Sequence, residues 1–268
     1  MRMGEAGPSR LGKPTALITG ASVGIGYELA KLFARNGHDL VLLARNREQL
    51  EKVAAECRSL GAESRVIAKD LSLPNAAQHI FDEVTTVGIQ LDVLVNNAGF
   101  GTHGPFAEID ADADLRLLQV NVVALTHLTK LFLRPMLARG SGKILNVASL
   151  AAFQPGPFMA TYYASKAYVL SFSEAVAAEV GRRGITVTAL CPGPVRTEFQ
   201  KRAGIEATRL SRGCVMDAAT VALAGYRALM RGRRLVIPSL SDRFLALASR
   251  FAPRRFATWV TGKLNEAR

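Results

Sequence analysis

Along this chain short, continuously apolar runs alternate with segments whose apolar residues recur every three or four positions. The runs are Thr15–Thr19 (TALIT), Leu40–Ala44 (LVLLA), Arg65–Ala68 (RVIA), Leu91–Asn96, Lys143–Ala148, Thr186–Leu190 and a late one at Leu235–Pro238. Helical spacing fills the intervals at Gly24–Asn36, Arg47–Leu60, Pro74–Val87, Ala111–Ala138 and Thr161–Arg182. A strand that is apolar at successive positions is covered on both faces. Strands joined through helices with right-handed crossovers lie parallel. The pattern therefore predicts an α/β fold, a doubly wound parallel sheet in three layers. No internal repeat or low-complexity linker interrupts it, so residues 1–268 read as a single domain with a short C-terminal helical tail at 239–268.

Hydrophobic residues make up 49% and charged residues 21%, which excludes a disordered or fibrous chain and allows a large core. Cys57, Cys191 and Cys214 are scattered without a CxxC pair. They argue against a disulfide framework and a metal site, and favour a reducing compartment. The opening MRMGEAGPSRLGKP has no apolar core of a signal peptide. No run approaches the ~18–20 apolar residues of a membrane span. The expectation is a soluble, cytoplasmic protein. The net charge is +12, and from Lys201 onward 14 Lys+Arg face 4 Asp+Glu. Such a basic end suits nucleic acid, a membrane surface or an anionic ligand, or is simply a solvated surface.

The turn Thr19-Gly20-Ala21-Ser22-Val23-Gly24-Ile25-Gly26 joins the first strand to the first helix. Gly20 permits a tight turn, Gly24 lets backbone approach a pyrophosphate, and Gly26 lets helix and strand pack closely. The helix N-terminus offers N–H groups and a positive dipole end to phosphate. In this strand–turn–helix setting the glycines mark a dinucleotide-binding domain of the Rossmann type. An acid at the end of the second strand would bind a ribose 2′-hydroxyl. That place reads Leu43-Ala44-Arg45-Asn46-Arg47, with no carboxylate. The Arg45 guanidinium suits a 2′-phosphate, so NADP(H) is favoured over NAD(H). The alternative is that Arg45 and Arg47 are merely solvated.

Tyr162 and Lys166 (YYASK) stand four apart, on one helical face. A lysine cation near a phenol favours the phenolate, so Lys166 together with an oxidised nicotinamide is expected to lower the Tyr162 pKa. Ser149 ends another strand 13 residues before Tyr162, where its hydroxyl could meet a substrate carbonyl. A Tyr–Lys pair at this spacing is by itself more often plain helix surface.

Taken together, TGASVGIG, Asn96-Asn97-Ala98-Gly99, Asn121, Ser149, Tyr162/Lys166 and Pro192-Gly193-Pro194 resemble the short-chain dehydrogenase/reductase family in its single-domain form, from Lys13 to Thr197 and more loosely to Pro238. The resemblance implies a catalytic set of Asn121, Ser149, Tyr162 and Lys166. Tyr162 would be the general acid in carbonyl reduction and the base in reverse. Lys166 would hold the nicotinamide ribose hydroxyls, and Ser149 would polarise the carbonyl. Asn121 would keep a relay water beside the lysine. The implied cofactor contacts are Gly20, Ser22, Gly24, Ile25, Gly26, Arg45, Asp70, Leu71, Asn97, Ala98, Gly99, Tyr162, Lys166, Pro192, Gly193 and Thr197. Asp70-Leu71 would meet adenine, and Pro192-Gly193 and Thr197 the carboxamide. Pairing through the long helix and the catalytic helix is implied too, giving a homodimer or homotetramer.

The functional expectation is an NADP(H)-dependent oxidoreductase interconverting a carbonyl and a secondary alcohol, on a small-molecule, apolar or acyl-like substrate. The main alternative is a cofactor-binding regulatory or scaffold protein with little catalysis, against which the intact four-residue set counts. A membrane or nucleic-acid binder working through the basic end is a further alternative, though no nucleic-acid motif is present. The segment from Pro194 to Met216 reads as a substrate cover or a solvated loop. Its Arg196, Lys201, Arg202, Arg209 and Arg212 would suit a phosphopantetheine thioester. Of the histidines only His103 falls near the expected rim, and Cys191 reads as a buried filler. In the tail, Ser241–Phe251 and Arg254–Leu264 each have an apolar face, carrying Phe244, Leu247 and Phe251, then Phe256, Trp259 and Leu264. Inward packing or a lid is expected of these faces ahead of a peripheral membrane contact.

Overall fold

The computed structural model describes residues 12–205, 208 and 215–266. Residues 1–11, where no leader was expected, lie outside these, as do Arg209, Arg212 and Cys214 and the side chains of Lys201 and Arg202. Seven strands form one parallel sheet: β1 (Thr15–Thr19), β2 (Asp39–Ala44), β3 (Ser64–Ala68), β4 (Val93–Asn96), β5 (Gly142–Val147), β6 (Ile185–Leu190) and β9 (Leu235–Val236). Their order across the sheet is β3-β2-β1-β4-β5-β6-β9. The chain first winds outward from β1 to β3, then returns past β1 to β4 and winds the other way. A crevice opens beyond the strand ends at this reversal. Two short strands, β7 (Val195–Arg196) and β8 (Met216–Asp217), pair separately after β6.

The continuous apolar runs mean what the sequence suggests. Ala16 and Ile18 of β1 and Leu40 and Leu42 of β2 pack on one face, with α1 (Gly24–Arg35), α2 (Arg47–Ser59) and α8 (Ala218–Met230). The intervening Leu17, Val41 and Leu43 pack on the other, against α3 (Ala76–Thr86), α5 (Leu125–Arg139) and α6 (Ala160–Val180). A period-two strand thus feeds two cores at once. Between the β4 and β5 ends a buried polar net replaces hydrocarbon. The Asn96 amide donates to Thr129 Oγ1 (3.0 Å) and Asn146 Oδ1 (2.9 Å), and Asn146 donates to Ser173 Oγ (2.9 Å).

Two expectations are corrected. The long helix at Ala111–Ala138 is α4 (Ala111–Leu118) and α5 joined by a π-helical turn, Gln119–Ala124, with Asn121 inside it. The extra residue in that turn shifts Asn121 relative to a regular helix, a distortion common at functional sites. The tail forms α9 (Leu240–Phe251) and α10 (Arg254–Asn265), but with polarity opposite to that expected. Asp242, Ala246, Thr261 and Asn265 are buried, while Phe244, Leu247, Phe251, Phe256 and Trp259 are exposed. The inward side is fixed by hydrogen bonds: Asn265 donates to Pro157 O (3.0 Å), and Tyr163 Oη donates to Asn265 Oδ1 (3.3 Å). His103 is spent on this clamp, its Nε2 2.7 Å from Asn265 O. Among the described residues no helix is long and apolar enough to cross a membrane.

Candidate active site

A cleft of about 610 Å³ runs across the sheet end from the glycine turn to the N-terminal half of α6. Its construction begins at Thr19. The Thr19 hydroxyl donates to Val95 O (3.2 Å) and accepts the N–H groups of Asn97 and Ala98 (2.9 Å each). The Asn97 amide then donates to the carbonyls of Thr19 (2.9 Å) and Gly20 (3.2 Å). The ends of β1 and β4 are thereby locked side by side. Gly26 closes the joint: a Cβ there would stand 2.2 Å from Gly20 O and 2.5 Å from Asn97 Nδ2. Gly24 has φ +59°, and a Cβ on it would meet Thr197 Cγ2 at 3.0 Å. The glycine turn is therefore left open to backbone approach, as a pyrophosphate cradle requires.

The donor set fits a dinucleotide. The α1 helix begins at Val23 with no side-chain cap and no acid in its first turn, whereas Asn46 and Asp110 cap α2 and α4. Its N-terminal N–H groups face the cleft with no competing side-chain acceptor. Arg45 lines the cleft, exposed at the end of β2, and Lys69 after β3 lines the same end. Sequence reasoning missed Lys69, although it directly precedes Asp70-Leu71. Among the described residues Arg45 forms no ion pair with a carboxylate. Asp70 accepts the N–H of Ser72 (2.9 Å) and so shapes its own turn, and Leu71 is buried beside it. Of the expected cofactor contacts all but Gly26 line the cleft.

At the other end Ser149, Tyr162 and Lys166 share one wall. Ser149 caps the short 3-10 turn Leu150–Phe153 by accepting the Ala151 N–H (3.1 Å), so its hydroxyl is fixed. Lys166 extends under the ring of Tyr162, its Nζ 5.8 Å from the centroid, and donates to Val147 O (2.9 Å) at the end of β5. Burial pushes the Lys166 ammonium down to about 8. Burial also pushes the Tyr162 phenol up, and the hydrogen-bonded Ser149 hydroxyl pulls weakly against it. Desolvation dominates, so the phenol rests protonated; the lowering expected of Tyr162 draws on an oxidised nicotinamide as well as on Lys166. Asn121 does not line the cleft. Its Oδ1 accepts the Phe100 N–H (3.2 Å), and its amide donates to Phe100 O (3.0 Å) and Ser165 Oγ (3.1 Å). It braces the segment after β4 against α6, behind Lys166.

The described part of the cover turns apolar side chains toward the site. α7 (Phe199–Ala203) sets the Phe199 ring 5.3 Å from that of Tyr162, and Ala203 and Ile205 are buried with Met159 and Tyr163. Three apolar residues in a basic segment carry too weak a periodicity to reveal this. Pro192 and Gly193 line the floor. The buried Asp242 of α9 accepts the Gly193 N–H, and a Cβ on Gly193 would collide with its carboxylate. Cys191 is a buried filler, its thiol pushed up to about 12 by burial. Among the described residues no three His, Cys, Asp or Glu side chains gather to hold a metal.

A parallel sheet of this order, with an uncapped glycine turn at its reversal point, defines a doubly wound α/β protein of the Rossmann type. Comparison with known proteins narrows the class. A family model described as short chain dehydrogenase matches residues 14–207. A short chain dehydrogenase of Pseudocercospora fijiensis is 36% identical over 187 residues, 69% of this chain and 60% of that one. A very-long-chain 3-oxoacyl-CoA reductase of Anas platyrhynchos is 36% identical over 193 residues, 69% and 61% of the two chains. The match thus spans about three fifths of these relatives' length. A solved short-chain dehydrogenase from Sphingobium yanoikuyae, in complex with NADPH, superposes with a TM-score of 0.81 at 35% identity, over 89% of this chain and 93% of that one. The chain belongs to the short-chain dehydrogenase/reductase family.

The Thr19 hub yields a prediction. Thr19→Val keeps the side-chain shape but leaves two N–H groups and one carbonyl without their partner. The cost is roughly 2–4 kcal/mol, which lowers Tm by about 5–12 °C. Dinucleotide affinity should fall with it. A thermal melt within a degree of the parent would remove Thr19 from the centre of the site.

Proposed function

We propose that the protein is an NADP(H)-dependent oxidoreductase interconverting a carbonyl and a secondary alcohol, on an apolar, ketoacyl-like substrate. The observation that carries this is the convergence of Ser149, Tyr162 and Lys166 on one wall of a cleft whose far end holds the glycine turn and Arg45. The NADPH complex of the Sphingobium yanoikuyae relative and the 3-oxoacyl-CoA reductase relative support cofactor and substrate class respectively.

A bound nicotinamide supplies the hydride. The chain supplies position, charge and a proton. The glycine turn and α1 hold the pyrophosphate, and Arg45 with Lys69 receives a 2′-phosphate. Such a phosphate is better matched by two cations than by the carboxylate a 2′-hydroxyl would need. Near Tyr162 the lining is apolar: Phe100, Leu150, Met159, Phe199 and Ile205 would exclude water and bind hydrocarbon. Ser149 donates to the substrate oxygen, and Tyr162, protonated at rest, delivers its proton there as negative charge develops. The Lys166 ammonium stabilises the phenolate left behind. Desolvation by itself makes the buried phenol a weaker acid, so the charge of the neighbouring Lys166 is needed to offset it as the proton leaves. Asn121 is a positioning residue that keeps the Phe100 segment and α6 in register. Exposed Leu115, Leu118, Val123 and Tyr168 lie along α4, the π turn and α6, which supports pairing of two copies through this face.

Tyr162→Phe should lower kcat for ketone or 3-oxoacyl thioester reduction by at least about 1000-fold. NADPH affinity should stay within about threefold, since only a hydroxyl at the reacting end is lost. Turnover near the parent level would contradict the role of Tyr162. The pH dependence follows from Lys166. Its folded-state pKa of about 8 keeps the charge below that pH and loses it above. Reductive kcat/KM should therefore be level at lower pH and fall about tenfold per unit above the break. A level profile up to about pH 10 would show that the lysine charge is not required.

A further inference from the structure

We infer that α9 and α10 form a docking face for an anionic phospholipid bilayer. Seven large apolar side chains of this tail (Leu240, Phe244, Leu245, Leu247, Phe251, Phe256 and Trp259) are 53–81% exposed. Their helices are not loose ends, because their inward faces are pinned by polar contacts. Asp242 accepts the Gly193 N–H, Arg243 Nε donates to Ile237 O (2.7 Å), and Asn265 is tied to Pro157, Tyr163 and His103. The tail is thus held with hydrocarbon outward at a fixed place, which a core-capping helix would not do.

Charge selects the occupant. Arg250, Arg254, Arg255 and Lys263 are exposed beside the apolar residues, and Arg243 is exposed as well. Of the acids in this segment, Asp242 is turned inward to Gly193 and Glu266 offsets Lys263 alone, at 2.9 Å, so among the described residues Arg250, Arg254 and Arg255 form no ion pair. Apolar and aromatic side chains rimmed by uncompensated cations match the acyl boundary and headgroups of an anionic leaflet. A second copy is a poorer occupant, since a two-fold contact lays this basic patch against itself. With 12 residues in each helix, the pair lies in the plane of the interface and does not span it. The docking is independent of the reaction proposed above.

Trp259 is the sole tryptophan of the chain and lies in the face itself, so it reports contact directly. Purified full-length protein is mixed with vesicles of phosphatidylcholine plus phosphatidylglycerol, or of phosphatidylcholine alone. Co-sedimentation and Trp259 emission are both followed. On the mixed vesicles the protein should sediment and its emission move to shorter wavelength, with both effects reversed by salt. Arg254→Gln combined with Arg255→Gln should weaken binding roughly 30-fold, at about fivefold per cation. Phe251→Ser, at an exposed position, should lower binding without changing the thermal melt. No sedimentation on anionic vesicles overturns the inference, as does equal, salt-insensitive binding to neutral ones. It is equally overturned if emission shifts without lipid, in step with a doubling of mass that Phe251→Ser abolishes. The face would then cover a second copy.

Discussion

The Thr19 hydroxyl bonds to three backbone groups of the neighbouring strand end, and the rest of the site is hung from that joint. It holds β1 and β4 together where the strand order reverses, the one place in this sheet where a crevice must open. Asn97 carries the lock into the turn through the Thr19 and Gly20 carbonyls, and the hydrogen at Gly26 leaves room for it. The pyrophosphate cradle is thus set by strand ends rather than by a free loop. A rigid sheet edge can aim N–H groups to within tenths of an ångström, which a mobile loop cannot.

Behind the opposite wall, burial has a chemical purpose. Lys166 is sheathed and anchored on Val147 O, Ser149 is fixed by a short turn, and Asn121 braces Phe100 from a π-helical turn. Removing water raises the Tyr162 phenol and lowers the Lys166 ammonium, so burial disfavours the charged form of each. In bulk water neither group would be so strained. In the reaction proposed here, the proton stays on the phenol until negative charge on a substrate oxygen draws it off.

Much of this was legible in the sequence because it rests on local rules. Continuous apolar runs report two-sided burial, and the glycines report positive φ and close approach. Tyr162 and Lys166 share a face by helical period alone. What escaped depends on three-dimensional surroundings. Periodicity shows that Phe244, Leu247 and Phe251 share a face, yet nothing local says whether that face points in or out. Asp242, which reaches Gly193 from 49 positions further along the chain, decides it. The π turn at Asn121 leaves no compositional trace, since it adds one residue to an otherwise good helix. Lys166 as a charge is legible, but the desolvation that raises Tyr162 appears only with the packing.

The central claim is that the reversal-point cleft takes NADP(H), selected at Arg45 and Lys69. The most direct test is to titrate the purified protein with NADPH and, separately, with NADH, following nicotinamide fluorescence. Micromolar binding of NADPH, at least about tenfold tighter than NADH, is the expected result, since one charge-assisted phosphate contact is worth roughly 1.5–3 kcal/mol. Tighter binding of NADH, or of neither dinucleotide, would contradict it.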